Sequence, residues 1–474
     1  MRRSPWATLT VLALAQFIVV LDVTIVNVAL PDIQSDLGFS TDGLQWVISA
    51  YTLLFGGFLL LGGRAADLLG SRRVFIAGLA LFGVTSLAGG LAGSPGLLIA
   101  ARAVQGLGGA LLSPAALSIL TVTFEHGRRR NIAMGVWGGL AGLGGTLGVV
   151  AGGLLVDSFS WRWVFIVNVP IVVALVLVTP VFVRHIAPHR GNRSFDLLGA
   201  VLGTGGLLAL VYGVVRAEPV GWSSPEVIGF LAGGVLLLTG FVLVEARAKA
   251  PLVPLGLLRS RALSTASGAL ALNGAAFLSM FFLTAIFLQQ VRGGSALRAG
   301  VEFLPMGGAA IAAAVLCTPL VGRFGTKPVQ LGGALLSLAG LVLLAQAGAH
   351  DGYAGRLLPG LILFGAGIIG VGVPAQIAAV VDVQHHEAGS ASGVVTAFNQ
   401  VGGALGLAVV STLSTSRVND AVASGTGQTD ALVQGFHRGL LVAAAFAVVN
   451  IAITLAAPRL SPAPDQIAEA AAAA

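Results

Sequence analysis

The chain has 474 residues, of which 56% are hydrophobic and only 9% are charged. A soluble domain carries about 25% charged residues, so the composition excludes an ordinary soluble protein and predicts one that lies within the lipid bilayer. The net charge of +7 is scattered between apolar runs, so we read the basic residues as topology signals and expect no nucleic-acid partner. The single cysteine, Cys317, excludes an internal disulfide and a CxxC metal site.

Apolar runs of membrane-spanning length recur along the whole chain, since a spanning helix needs roughly 20 residues. They predict an all-α membrane protein with fourteen spans. The first six lie at 6–30, 44–62, 74–92, 97–120, 132–154 and 162–183. Two more lie at 197–215 and 226–245, and the last six at 263–288, 300–321, 330–349, 357–381, 391–414 and 438–457.

The first span contains a carboxylate, Asp22, within the string LDVTIVNVALP at 21–31. An ionisable side chain at membrane depth is costly, so such residues usually face the bundle interior or a watery cavity and have a function. A polar residue that is simply tolerated between helices is the alternative. Thr24 and Asn27 make this segment polar on more than one turn, which favours the functional interpretation.

The distribution of arginine and lysine predicts the orientation of the spans. Eighteen of these residues lie in segments that we place in the cytoplasm and seven lie on the opposite side. Because such an excess marks cytoplasmic loops, both termini are expected in the cytoplasm, with the chain in the cell (inner or plasma) membrane.

Two loops predict an internal repeat. GGRAADLLGSRR at 62–73 follows the second span and TPLVGRFGTK at 318–327 follows the tenth, with Gly70 aligned to Gly325. Two related halves around a central cavity are a transporter plan, although two such loops could also recur by chance in a chain with 67 glycines. The predicted units are a six-helix bundle at 1–190, an inserted hairpin with linkers at 191–260, and a second bundle with a short cytoplasmic tail at 261–474.

These strings resemble the fourteen-span drug:proton antiporter subfamily of the major facilitator superfamily, over nearly the whole chain. The string at 21–31 is similar to its first-span motif, and GRAADLLGSRR at 63–73 is similar to the general superfamily loop motif. LIAARAVQGLGGALLSPA at 98–115 resembles the fourth-span motif, with Arg102 and Gln105 in place. SWRWVFIVNVP at 160–170 and AGSASGVVTAFNQVGGALG at 388–406 are further similar strings. The resemblance implies the major facilitator fold, two six-helix bundles plus the inserted hairpin, and a proton gradient as energy source without a cofactor.

The fifth span reproduces the glycine spacing of the antiporter motif of that subfamily. The matching residues are Gly135, Gly144, Gly148, Gly152 and Gly153. Glycines at these intervals let a neighbouring helix approach closely. Val149 stands where the motif has a proline, so the kink that a proline causes is not expected. Ordinary glycine-mediated packing in a transporter of another coupling type is the alternative.

Asp22 and Arg102 lie at similar depths, about 12 Å and 8 Å from the outer ends of their spans at 1.5 Å per residue. Because the resembled fold also implies that these two spans are neighbours, we expect Asp22 and Arg102 to form an ion pair and to couple transport to protons. Protonation of Asp22 would release the pair and bias the opening direction, and a cationic drug could replace the proton as counter-charge. For Arg102, a structural bond to carbonyls of adjacent helices is the alternative. The variant Asp22→Asn is expected to leave folding intact.

The loop at 63–73 carries a predicted cytoplasmic latch. In the resembled family this loop holds the two halves together. The motif residues Gly63, Asp67, Gly70 and Arg72 are present, Leu68 and Ser71 stand where bases are usual, and Arg73 is a further latch candidate. Ordinary cytoplasmic positive charge is the alternative interpretation of these arginines.

Uncharged polar residues inside the spans are candidates for the substrate cavity. They are Asn27, Gln105, Asn273, Gln376 and Asn399. For those in the second half, a hydrogen bond between helices is the alternative. His385 and His386, next to Asp382 and Glu387, could imitate a metal site, but adjacent histidines in a loop are usually solvated and we expect no metal.

The predicted function is a proton-coupled exporter of amphiphilic or cationic small molecules, such as antibiotics, dyes or biocides, that works by alternating access. The chain contains no GxxxxGK[ST] string, so an ion gradient and not ATP should supply the energy, and we expect no enzyme activity. The alternatives are an exporter dedicated to one endogenous metabolite or lipid precursor, and a non-transporting scaffold or sensor, for which buried charges would have no use. The expected partners are lipid, protons and a small-molecule substrate, and the chain is expected to act as a monomer.

Overall fold

The computed structural model describes residues 4–124, 133, 136, 147–184, 196–248, 251, 256, 259–381 and 388–460. Within these residues the regular structure is helical. The first half contains α1 (Pro5–Leu37), α2 (Thr41–Leu44), α3 (Trp46–Leu69), α4 (Ser71–Gly90), α5 (Pro95–Thr123), α6 (Leu147–Ser158), α7 (Trp163–Ile166) and α8 (Asn168–Phe182). Next come α9 (Leu197–Val220), α10 (Pro225–Glu245) and α11 (Arg261–Ile286), which continues as a π-helical turn (Phe287–Val291). The remaining helices are α12 (Ala296–Phe324), α13 (Thr326–Leu344), α14 (Leu357–Val381), α15 (Ala388–Ala423) and α16 (Gln428–Ala456).

Apolar helices lie within every predicted span, although the fifth, at 132–154, is described continuously only from residue 147. Of the helices that the structure describes, eleven are long and apolar enough to cross a bilayer, and shorter apolar segments lie in α3, α6 and α9. The sixth span is divided into α7 and α8, which lie end to end. The prediction of an all-α, multi-pass membrane protein is therefore confirmed.

Several helices are longer than the apolar runs that predict them. The first run ends near residue 30, but α1 continues to Leu37 and ends at Gly38, which has a φ of 68°. A left-handed glycine is a common helix stop, whereas an aspartate or serine in the last turns does not end a helix. Hydrophobicity therefore marks the lipid-embedded part of a helix, and the capping residue marks its end.

The helices connect two opposite ends of the bundle. We call the end where α1 stops the Gly38 face, and the end where α3 passes into α4 the Gly70 face. At the latter, Gly70 (φ 93°) ends α3 and begins α4, and Gly325 (φ 81°) does the same between α12 and α13. Both conformations favour glycine, because a positive φ brings a Cβ into collision with the backbone. This shared geometry agrees with the repeat that the two loops predict.

Two sets of helices pack among themselves and meet along a seam. In the first set α5 contacts α1, α3 and α4, and in the second set α11 contacts α14, α15 and α16. The sets meet where α3 packs on α15. The hairpin of α9 and α10 lies beside this seam, since α9 contacts both α3 and α15. The division at residues 190 and 260 stays a prediction.

Glycines set the closest approaches between helices. A Cβ built at Gly62 of α3 would lie 2.0 Å from the backbone oxygen of Ala110 on α5, and one at Gly106 would lie 2.3 Å from the oxygen of Tyr51. Neither position can carry a side chain without separating the helices. Small residues at such crossings are how membrane helices gain contact area without a hydrophobic driving force.

Replacing Gly62 by valine is expected to destabilise the protein by about 1–3 kcal/mol, toward the upper end because the obstructing atom belongs to the backbone. The matched control is Gly233→Val on α10, where a Cβ would meet nothing within 4 Å. Thermal unfolding of the two purified variants in detergent makes the comparison. Equal unfolding midpoints would contradict the packing of α3 on α5.

Candidate functional site

Asp22 lies in the interior of the first half, with 0% of its surface exposed. Its carboxylate accepts three hydrogen bonds from two other helices. Arg102 Nη1 of α5 donates to Oδ2 at 2.5 Å, Gln105 Nε2 of the same helix donates to Oδ1 at 2.9 Å, and Asn168 Nδ2 of α8 donates to Oδ1 at 3.1 Å. The acid therefore points neither to lipid nor to an open vestibule.

Arg102 is also fully enclosed, with 1% of its surface exposed. Its Nε donates to the backbone oxygen of Val47 at 2.9 Å, and its Nη1 donates to Gln105 Oε1 at 2.8 Å. The guanidinium carbon lies 4.3 Å from the ring centroid of Tyr51, which is a cation–π distance. The ion pair and the carbonyl bond, which the sequence presents as alternatives, are thus present together.

Local sequence explains how α5 presents this pair of side chains. Pro95 at the first turn and Ser94, whose hydroxyl accepts from Leu97 N, fix where α5 begins. Arg102 and Gln105 are three residues apart, so they share one face of the helix. Gly106 lets α5 contact the backbone of α3 directly, which brings Arg102 within reach of the Val47 carbonyl.

A surface contact positions α7 and α8 against α1. Asp36 Oδ2 accepts from Trp161 Nε1 at 2.9 Å and from Arg162 Nη1 at 2.6 Å. These residues belong to the string at 160–170, which also contains Asn168. The tie at the Gly38 face therefore holds α8 where its first residue can reach Asp22.

Sequence reasoning missed Asn168, Ser86 and Tyr51 as members of this site. Asn168 Nδ2 lies 3.2 Å from Ser86 Oγ, and Ser86 donates to the backbone oxygen of Phe165 at 2.9 Å. The polar side chain of Asn168 inside an apolar run was a signal that could have singled it out. Ser86 and Tyr51 carry no such signal, because serine and tyrosine are common in membrane helices.

The arrangement is a buried ion pair whose acid is surrounded by donors. Removing one partner of such a pair is strongly destabilising, since the other charge stays buried without compensation. The carboxylate of Asp22 has no exposed surface, so a small molecule cannot contact it in this arrangement of the helices.

The glycines of α6 that the structure describes contact two different helices. A Cβ at Gly148 would lie 2.1 Å from Thr24 Oγ1, and one at Gly152 would lie 2.9 Å from the backbone oxygen of Ile25, both on α1. A Cβ at Gly153 would lie 2.5 Å from Leu297 Cα on α12. The α6 segment therefore packs on the helix that carries Asp22 and on the opposite half at once. The predicted motif glycines Gly135 and Gly144 lie outside the described residues.

The five cavity candidates occupy different environments. Gln105 belongs to the Asp22 network, and Asn27 is buried and donates to Val23 O of its own helix at 2.7 Å. Asn273 donates to Ile368 O at 3.2 Å and Asn399 donates to Leu270 O at 2.9 Å, so both join neighbouring helices. Asn399 and Gln376 are partly exposed.

The predicted latch is described in part. Gly70 forms the turn between α3 and α4, and Gly63 approaches Pro114 of α5, with its Cβ position 3.6 Å from Pro114 Cβ. Arg72 Nη1 donates to Val183 O, just beyond the end of α8, at 3.3 Å, and Arg73 is exposed. The side chain of Asp67 lies outside the described part of the structure.

Hydrogen bonds between the halves close the bundle at the Gly38 face. The carboxylate of Asp157, at the end of α6, accepts from the backbone N–H groups of Ala296 and Leu297 at 3.1 Å each. The first N–H groups of a helix have no partner within it, so Asp157 caps α12 from the opposite half.

Three further contacts reinforce this closure. Gln289 Nε2 donates to Val28 O at 3.0 Å, and Gln290 Nε2 donates to Gln34 Oε1 at 2.9 Å, so the π-helical turn is attached to α1. Ser411 of α15 donates to Gln45 Oε1 beside α3. We call this set, with Asp157 and the start of α12, the Gly38-face gate.

The residues that could imitate a metal site, Asp382, His385, His386 and Glu387, lie outside the described residues. Within the described ranges, no group of three or more His, Cys, Asp or Glu side chains could hold a metal ion.

Comparisons with known proteins agree with this architecture. Residues 12–407 match the Major Facilitator Superfamily. The puromycin resistance protein pur8 of Streptomyces alboniger is 41% identical over 452 residues, which cover 95% of this chain and 90% of that protein. The cephamycin export protein CmcT of Amycolatopsis lactamdurans is 38% identical over 445 residues, which cover 93% and 89%.

A solved structure shows the same fold at low identity. It is a bacterial homologue of the human lysosomal transporter Spinster, determined in an inward-facing, unoccupied conformation. The TM-score is 0.70 at 16% identity, covering 98% of this chain and 100% of that one.

Proposed function

The chain belongs to the Major Facilitator Superfamily, and from this premise we propose that it is a proton-coupled exporter of amphiphilic or cationic small molecules such as antibiotics. Two relatives, named for puromycin resistance and for cephamycin export, support the direction of transport and the class of cargo. The fourteen helical positions support membership of the drug:proton antiporter subfamily.

The single observation that carries the proton coupling is the buried pair of Asp22 and Arg102. Two charges taken out of water are poor stabilisers compared with apolar side chains of similar volume, so a purely structural role does not account for them. Ionisable residues inside membrane spans mark proton relays and substrate pathways. A scaffold or sensor that does not transport would gain nothing from burying two charges away from water.

The connection between the acid and the gate runs along one helix. Asp22, Val28 and Gln34 all lie on α1, and the last two hold the π-helical turn of the second half. Along the helix axis, Val28 and Gln34 lie about 9 Å and 18 Å from Asp22, at a rise of 1.5 Å per residue. A proton on Asp22 cancels its attraction to Arg102, which loosens α1 from α5 and thereby biases the Gly38-face gate.

The proposed orientation places the Gly38 face outside the cell and both termini in the cytoplasm, because the excess of basic residues lies at the other face. In that orientation the gate closes the transporter to the exterior. Export then requires the gate to break and the Gly70 face to close, which the latch residues would hold.

A second candidate is an exporter dedicated to one compound, which the names of these relatives favour because each refers to a single antibiotic. Both candidates use the same proton step. They differ only in how many compounds compete for transport.

Proteoliposomes containing the wild-type protein test the proposal. We expect an imposed pH gradient to drive accumulation of puromycin or a cationic dye, and we expect dissipation of the gradient with an ionophore to stop it. Competition by many unrelated compounds would favour the broad exporter, and competition by one would favour the dedicated exporter. Transport that is unchanged without the gradient would contradict proton coupling.

A further inference from the structure

Asn168, the first residue of α8, is fully buried against Asp22 and has one half of its amide unused. Its Nδ2 lies 3.1 Å from Asp22 Oδ1, 3.2 Å from Ser86 Oγ and 3.5 Å from the backbone oxygen of Val164, the longest of the three contacts. Its Oδ1 is buried and has no hydrogen-bond partner. A buried amide oxygen without a partner is uncommon and calls for a physical reason.

The described side chains that hydrogen-bond to Asp22 all donate to it, so they stabilise an ionised carboxylate and, as now oriented, offer no acceptor to a protonated one. Its three hydrogen bonds come from Arg102, Gln105 and Asn168, and all three are N–H donors. A protonated carboxyl group instead carries an O–H that needs an acceptor. Gln105 Oε1 already accepts from Arg102 Nη1, so that amide cannot turn without losing a charge-assisted bond.

Among the residues that the structure describes, two charged or titratable side chains face Asp22. Arg102 comes from α5, and Tyr51 of α3 lies beneath the guanidinium. From α4 and α8 the side chains that reach the site are Ser86 and Asn168, which do not titrate in this pH range. Among the described side chains, Ser86 and Asn168 are therefore the uncharged groups that can supply an acceptor for the protonated acid.

We propose that Asn168 is a positioning residue for the proton step: its amide donates to Asp22 when the acid is ionised, and turns about its last side-chain bond to accept from Asp22 when the acid is protonated. This inference rests on the proposed function. The turn places Oδ1 where Nδ2 now lies, within reach of the new O–H on Asp22. Ser86, which now donates to Phe165 O, can redirect its hydroxyl to the same oxygen.

The effect of removing the amide follows from the strengths of the two bonds. Asn168→Leu deletes a donor to the anion and an acceptor for the acid. Because a hydrogen bond to a charged group is about twice as strong as a neutral one, the anion loses more. We expect the pH of half-maximal efflux to rise by about one unit, a tenfold change in proton affinity.

Efflux from proteoliposomes, measured across a series of pH values, tests this expectation. Asn168→Ser keeps a hydroxyl that both donates and accepts, and should stay closer to the wild-type midpoint than Asn168→Leu. The matched control is Asn450→Leu, because Asn450 is equally buried in α16 and donates to Ala269 O at 2.9 Å, far from the acid. A lower rate at an unchanged midpoint in Asn168→Leu would show a merely structural role and overturn the proposal.

A spectroscopic measurement separates failure of this inference from failure of the proposed function. Infrared difference spectra of the purified protein between high and low pH should contain a carboxyl band that Asp22→Asn removes. In Asn168→Leu that band should move to higher frequency, since the carboxyl group loses its acceptor. An Asp22 band that does not move would overturn the role of Asn168, whereas a wild-type protein without any Asp22 band or gradient-driven efflux would overturn the proton step itself.

Discussion

The variant Asp22→Asn is expected to reduce pH-gradient-driven efflux to the rate of liposomes without protein. Asparagine fills the same space but cannot take up a proton, so the step that converts the gradient into movement of α1 is lost. Downhill exchange of substrate, measured without a gradient, should be affected less. Gradient-driven efflux that persists in this variant would rule out Asp22 as the coupling acid.

The structure changes one expectation about this variant. Sequence reasoning predicts that Asp22→Asn leaves folding intact, but Arg102 is 1% exposed and would remain buried without its counter-charge. Such a loss costs about 3–5 kcal/mol. The transport measurement therefore needs a control of matched stability. The double variant Asp22→Asn with Arg102→Met serves as that control, because it removes both charges together.

Arg102→Met alone is expected to destabilise the protein by about 3–5 kcal/mol, because it leaves the Asp22 carboxylate buried and unpaired. The double variant should recover most of that loss, since no uncompensated charge remains. Unfolding of the wild type, the two single variants and the double variant in detergent completes a double-mutant cycle. The loss in Arg102→Met should also be smaller at low pH, because a buried carboxylate without a partner neutralises by taking up a proton.

Additive effects of the two single variants would contradict this prediction. They would mean that the 2.5 Å contact contributes no interaction energy. Arg102→Lys supplies a further comparison, because lysine keeps the charge but cannot reproduce the planar guanidinium that bonds Val47 O and lies over the Tyr51 ring.

The pair of Asp22 and Arg102 was predictable because charges inside membrane spans are rare, a helix has a fixed rise, and the resembled family implies that spans 1 and 4 are neighbours. Depth along each helix then limits the possible partners. The spans themselves were predictable for a similar reason, since the bilayer fixes their length and polarity.

The remaining members of the site were not predictable in the same way. Asn168 and Ser86 reach Asp22 only because α4 and α8 pack beside α1, and hydrophobic patterns do not say which helices are neighbours. Among the glycines, the pattern points to Gly63, but Gly62 lies at the tighter crossing with Ala110. Which face of α3 points toward α5 decides which glycine lies at the crossing, and a short motif does not specify that face.

The Gly38-face gate was hidden from sequence reasoning for another reason. Asp157 contacts the start of α12 from the opposite half of the molecule. Such a contact depends on how the two halves are placed, which a short motif does not specify. Asp157 therefore resembles any other loop carboxylate until the two halves are placed together.

Proton release on substrate binding is the most direct measurement of the central claim, which is that Asp22 exchanges its proton for cargo. Purified protein in weakly buffered detergent solution is mixed with puromycin or a cationic dye while a pH indicator is followed. The account predicts proton release from the wild type and none from the double variant Asp22→Asn with Arg102→Met, with substrate binding verified in both. Release of the same size from the double variant would contradict it.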